Sequence, residues 1–90
     1  MDTVKELKVA KDTSPKKLAG TIKYYLLKGT ECHLMALGQQ PICTSVKAIA
    51  LLSKMFSLDY VCNISYFNQR LETGSLSGIQ FIIRNTIDRE

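Results

Sequence analysis

The chain has 90 residues, 46% of them hydrophobic and 22% charged, and a net charge of +4. A single core of this size buries only about 60 to 65% of the unfolded surface, so one small domain spanning residues 1–90 is expected and a two-domain enzyme is excluded. The composition is close to globular averages, which excludes a disordered tail.

The charge is unevenly placed. Residues 1–28 hold seven lysines and three acids, whereas residues 29–90 hold five basic and five acidic residues. A positive balance of this kind favours anionic partners without identifying one. The three cysteines, Cys32, Cys43 and Cys62, are odd in number and lack CxxC spacing, so neither a disulfide framework nor a zinc site is signalled. A reducing, cytoplasmic setting is expected, or a nuclear one in a eukaryote. The start, MDTVKE, has no basic run leading into an apolar segment, and no stretch of about 18 apolar residues follows, so neither secretion nor membrane association is expected.

In chain order, Lys5 to Lys11 alternates as a half-buried strand, with Leu7 and Val9 on one face. Ser14 and Pro15 then form a helix-start signal, a side-chain acceptor followed by a residue pre-set for the first turn. The helix should run to about Lys28 and close at Gly29. Leu18, Ala19, Ile22, Tyr25 and Leu26 fall on its apolar arc, while Lys16, Lys17, Thr21, Lys23, Tyr24 and Lys28 fall on the other.

Glu31 to Gly38 is short and apolar on both faces, which suits a central strand of a covered sheet. A second helix is expected from about Pro41 to Ser57. Ile42, Val46, Ile49, Leu52 and Phe56 form its broad apolar face, Leu51 and Met55 lie just beyond it, and Cys43, Lys47 and Lys54 mark the polar strip. So apolar a helix should be buried on more than one side, and a homodimer is the economical way to do it. Tyr60 to Phe67 and Ile79 to Thr86 read as two further strands joined by a long arm, residues 68–78. The order is β-α-β-α-β-β: an α/β chain of the two-layer α+β kind, with right-handed crossovers and both helices on one face of a four-stranded sheet.

Several segments resemble the sporulation stage V protein S family, whose members share the small β-α-β-α-β-β fold of the Alba nucleic-acid-binding superfamily. They are Leu7-Lys8-Val9, the SPxxxAG-like opening of helix one (Ser14-Pro15-Lys16-Lys17-Leu18-Ala19-Gly20), Ala36-Leu37-Gly38, and the VKAxA-like core of helix two (Val46-Lys47-Ala48-Ile49-Ala50). Their order and spacing extend the resemblance from about Leu7 to Arg84. The chain departs from Alba proteins at Gly38-Gln39-Gln40-Pro41, where a basic residue often follows the glycine. It departs again in the arm, which carries one base, Arg70, and one acid, Glu72.

The resemblance implies a small dimeric regulatory protein that binds DNA or RNA through the phosphate backbone, largely without sequence preference. It places phosphate contacts at Lys11, Lys16, Lys17 and Lys23, with Lys28 further along. Lys47 matches the family's lysine, Gln39 and Gln40 begin helix two, and Arg70 lies on the arm. The plain reading of the lysines is a solvated amphipathic face. Tyr24 and Tyr66 could stack on bases, but a stem packed in the core accounts for each as well.

No catalytic, metal or cofactor motif is present. His33, the only histidine, neighbours Cys32 on a strand and so points to the opposite face, which separates the sole nucleophile–base pair. A non-enzyme without cofactor is expected. The rival is an interaction module that binds a protein partner and no nucleic acid, and it draws on the modest charge and the neutral Gln39-Gln40 loop. A small-molecule sensor has no residue constellation in its favour.

Overall fold

The computed structural model describes residues 3–86. The elements are β1 (Thr3–Val9), α1 (Pro15–Leu27), β2 (Thr30–Ala36), α2 (Gln39–Phe56), β3 (Tyr60–Leu71) and β4 (Gly74–Asn85). The four strands form one mixed sheet in the order β1-β2-β4-β3, with β1 parallel to β2 and the other neighbours antiparallel. This is the expected β-α-β-α-β-β arrangement of an α+β fold.

β1 stops at Val9, two residues short of the sequence expectation. The Thr13 hydroxyl accepts the Ala10 N–H at 2.9 Å and the Thr13 N–H returns to the Ala10 carbonyl at 3.1 Å, which turns the backbone out of the ladder. Lys11 therefore sits in a turn. α1 begins as its sequence dictates, with the Lys17 N–H donating to Ser14 Oγ at 3.4 Å and Pro15 in the first turn. It closes at Lys28 and Gly29, whose N–H groups reach the carbonyls of Tyr25 and Leu26. Gly29 has φ +82°, a left-handed conformation that favours glycine.

The core lies between the sheet and the two helices. Val9, Cys32, Leu34, Ala36, Phe81 and Ile83 meet Leu18, Ala19, Ile22 and Leu26 of α1 and Ala48 and Leu52 of α2. The register explains the selection, because Cys32, Leu34 and Ala36 stand opposite Ile83, Phe81 and Ile79, so every second residue of both strands faces the helices. α1 covers β2 and β4, α2 covers β1 and β2, and the helices pack on each other. Among the described residues, the opposite face of the sheet bears no helix. There Glu31, His33 and Met35 of β2 are only half-buried, so the two-sided cover that β2 suggested is not found among the described residues.

α2 buries a different stripe from the one its large apolar residues suggested. Pro41, Thr44, Ser45, Ala48 and Leu52 are buried, at helical spacing, whereas Val46 is 52% exposed and Ile42 and Ile49 are half-buried. Small side chains win the inward side because two helices sharing one small sheet must approach closely. The buried Ser45 hydroxyl donates to the Pro41 carbonyl at 2.9 Å, so its burial leaves no polar group unsatisfied.

The arm is itself strand. β3 and β4 remain paired without interruption from Tyr60 opposite Asn85 to Leu71 opposite Gly74, leaving only Glu72 and Thr73 as the turn. Polar residues at 68 and 77 resembled a loop, yet Ser77 Oγ donates to Asn68 Oδ1 at 2.9 Å across the ladder and continues it. At the base of the ribbon Gly78 is required: a Cβ there would lie 2.7 Å from both the Ala36 carbonyl and the Phe67 ring.

Candidate nucleic-acid interface

Topology gathers several of the sequence-selected residues at one end of the molecule. Because β1 and β2 are parallel, both helices start from the same end of the sheet. Lys11 lies in the turn leaving β1, and Lys16 and Lys17 lie exposed in the first turn of α1. Gln39 and Gln40 form the exposed start of α2. The β2–β4 ladder ends at Ala36 opposite Ile79, so the ribbon beyond that pair projects past the same end. Its five further residue pairs extend about 17 Å at 3.4 Å per residue, with the exposed Arg70 next to the tip.

The local electrostatics favour an anion. Neither helix carries an acidic residue in its first turn, so each positive dipole end, about half an elementary charge, meets no carboxylate from that turn. The two starts differ in their caps. Ser14 caps α1, whereas Gly38, at φ +98°, gives α2 no side-chain cap bond. Backbone N–H groups at an uncapped helix start point outward and suit phosphate oxygens. Gly38 is required by its left-handed φ, which an L side chain adopts only with strain.

Other selected residues stand apart from this end. Lys23 is half-buried and holds its Nζ 4.5 Å from the centroid of the Phe56 ring, at the C-terminal end of α2. Lys28 follows the last residue of α1, where its Nζ lies 4.7 Å from the Tyr24 ring centroid and donates to the Tyr24 hydroxyl at 3.2 Å. Tyr24 in turn meets Tyr25 edge-to-face at 5.1 Å. These cations and rings pair with each other on the helix surface. Lys47 is exposed two turns into α2, and Tyr66, 83% exposed, projects from β3 with no core packing around it.

One feature at the site end escaped the sequence reading. A cleft of about 260 Å³, lined by Lys8, Val9, Ala10, Met35, Leu37, Phe67 and Gln69, sits at the base of the ribbon. The strict alternation of β1 puts Lys8 opposite Val9 in facing, and this was the signal available for it. Phe67 was legible only as a strand residue, since its seat over Gly78 depends on the β3–β4 register.

Cys32 and His33 do point to opposite faces. The Cys32 thiol is fully buried in the core, and burial, followed by the nearby Glu31 charge, pushes its pKa up to about 11, which keeps it protonated. His33 Nε2 instead lies 2.8 Å from Glu31 Oε2 on the open face. Burial also raises the Cys62 thiol. All three cysteines are unpaired with one another. Among the described residues, no group of three or more His, Cys, Asp or Glu is placed to hold a metal ion, and no helix is long and apolar enough to cross a membrane.

No curated protein matches the chain. The family model described as Stage V sporulation protein S (SpoVS) matches residues 5–86, almost the whole chain, with both helices, β2 to β4 and β1 from Lys5 onward. The Alba-like superfamily placement is consistent with that family, and the chain has the β-α-β-α-β-β element order. With the segments around Ser14, Ala36 and Val46 falling inside the matched region, the chain belongs to the stage V sporulation protein S family, and that membership supports a regulatory role in sporulation.

Proposed function

We propose that the protein is a non-enzymatic, dimeric regulator that binds DNA or RNA by the phosphate backbone, largely independently of sequence. The observation that carries this reading is the shared end of the fold: Lys11, Lys16 and Lys17 beside two acid-free helix starts, with the ribbon and Arg70 projecting from the same end. Lysines neutralise phosphates and release counterions, and the uncapped α2 start adds backbone donors beside Gln39 and Gln40. Lys47 extends the basic surface along α2. Lys23 and Lys28, occupied by aromatic partners, contribute little, and the ribbon follows a groove with Arg70 near its tip.

Phosphate contacts set register and orientation but carry no base information, so discrimination among sequences should be small. Fluorescence anisotropy with short duplex DNA, duplex RNA and single strands tests the reading and separates the two nucleic acids. Each lysine–phosphate contact should contribute about −0.9 to the slope of log affinity against log salt on a duplex. Lys16→Glu with Lys17→Glu should reduce the magnitude of that slope by about 1.8 and weaken binding severalfold or more. Binding that ignores salt, or survives the double charge reversal unchanged, would sink the reading.

A second reading is favoured by a specific observation. Ile64 is 65% exposed and Tyr66 83% exposed on β3, an apolar strip that phosphate binding does not use. A module that binds another regulatory protein would use such a strip. Protein partners that persist through nuclease treatment and high salt would favour it.

A further inference from the structure

The two edges of the sheet are built differently. β1, at one edge, is seven residues long and carries Lys5, Glu6 and Lys8. Charges and shortness are the usual protection of a strand edge against pairing with another chain. β3, at the other edge, is twelve residues long and has no charged residue from Tyr60 to Gln69. It contains no proline, and its pairing with β4 runs without a bulge. At about 3.3 Å per residue it offers an edge of roughly 40 Å whose outward backbone groups lack a strand partner among the described residues.

The side chains on this edge repeat the message. Ile64 stands opposite Phe81 and Tyr66 opposite Ile79, on the face that carries the helices. Phe81 is buried beneath α1 and Ile79 packs against the core, but neither helix extends over β3. The apolar row of the core therefore runs out to the surface at Ile64 and Tyr66.

We propose that β3 pairs antiparallel with β3 of a second copy of this chain, joining two sheets into one of eight strands. The occupant is a second copy because every copy brings the same long, uncharged, unprotected edge, and two-fold pairing satisfies both at once. A two-fold axis perpendicular to the sheet keeps the helices of both copies on one side. It then sets the two Ile64–Tyr66 strips against each other in place of water. The paired segment is residues 61–67, which leaves the ribbons free. Antiparallel pairing sends them, with their lysine-bearing ends, in opposite directions along the dimer. This inference rests on the homodimer reading above and supplies its interface, placing it on β3 and away from the exposed side of α2.

Sedimentation equilibrium of the full chain over the micromolar range, with hydrogen exchange at the two ends of that range, tests it. The expected result is a dimer in which backbone amides within 61–67 become slower to exchange as concentration rises. Ile64→Lys sets two lysines near the axis and should raise the dimer dissociation constant roughly a hundredfold. Val46→Lys, on the exposed side of α2, should leave it unchanged. A dimer that withstands Ile64→Lys, yields to Val46→Lys, or shows no added protection in β3 overturns the interface while the homodimer survives. A wild-type chain that stays monomeric overturns both and leaves the edge to a strand from a different protein.

Discussion

α1 and α2 leave the same end of the sheet, yet they are stabilised by different means. α1 is self-specified: Ser14 caps it, Pro15 starts it, and its large apolar residues, Leu18, Ile22 and Leu26, are those it buries. α2 begins at Gly38 with no side-chain cap and buries small residues, leaving Val46 and Met55 exposed. A helix with local start and stop signals can be read from its own residues. One that must fit between a neighbour helix and a sheet is decided by how closely the backbones approach.

Substitutions on the two helices can break this contrast. The largest effect belongs to the inward side of α2, where Leu52→Ala should cost about 2–5 kcal/mol in urea unfolding, while Val46→Ala stays within about 0.5 kcal/mol. Equal losses at both positions would mean that the exposed side of α2 is packed in solution. Ser14→Ala removes the cap of α1 and should cost about 1 kcal/mol by thermal or denaturant unfolding, with the helix itself retained. A negligible loss would remove the distinction between a capped and an uncapped start.

The only gain is at the end of α2. Ser57 closes that helix in a left-handed conformation at φ +51°, with the Leu58 N–H donating to the Leu52 carbonyl at 3.2 Å. Glycine takes this conformation without the Cβ penalty, so Ser57→Gly should stabilise by about 0.5–1 kcal/mol. Gly29, which already closes α1 at φ +82°, should lose about 1 kcal/mol or more on replacement by alanine. The opposite signs at equivalent positions sharpen the comparison, and a common sign would show that neighbouring packing governs both ends.

Much of the fold was legible where local chemistry is decisive. The Ser14-Pro15 start, the left-handed closure at Gly29, the Leu7–Val9 alternation and the separation of Cys32 from His33 all follow from neighbouring residues. The candidate site was legible in part. Lys11, Lys16 and Lys17 were drawn together by chain proximity, but their meeting with Gln39, Gln40 and the ribbon depends on the parallel β1–β2 pair and on where the β2–β4 ladder stops. Lys23 and Lys28 carried the same signal as the other lysines. Their pairing with Phe56 and Tyr24 follows from the helix packing and from the one-turn spacing within α1.

The amino-acid sequence by itself determined the number, kind and order of the elements, the concentration of positive charge in residues 1–28, and the family pattern along the chain. These depend on side-chain periodicity and on residues close in sequence. Only the tertiary structure decided which stripe of α2 is buried, that the arm is paired strand, and that β3 forms the uncharged edge. Those features arise from register and close backbone approach between segments far apart in the chain, where the identity of any one segment leaves several arrangements open until its neighbours are in place.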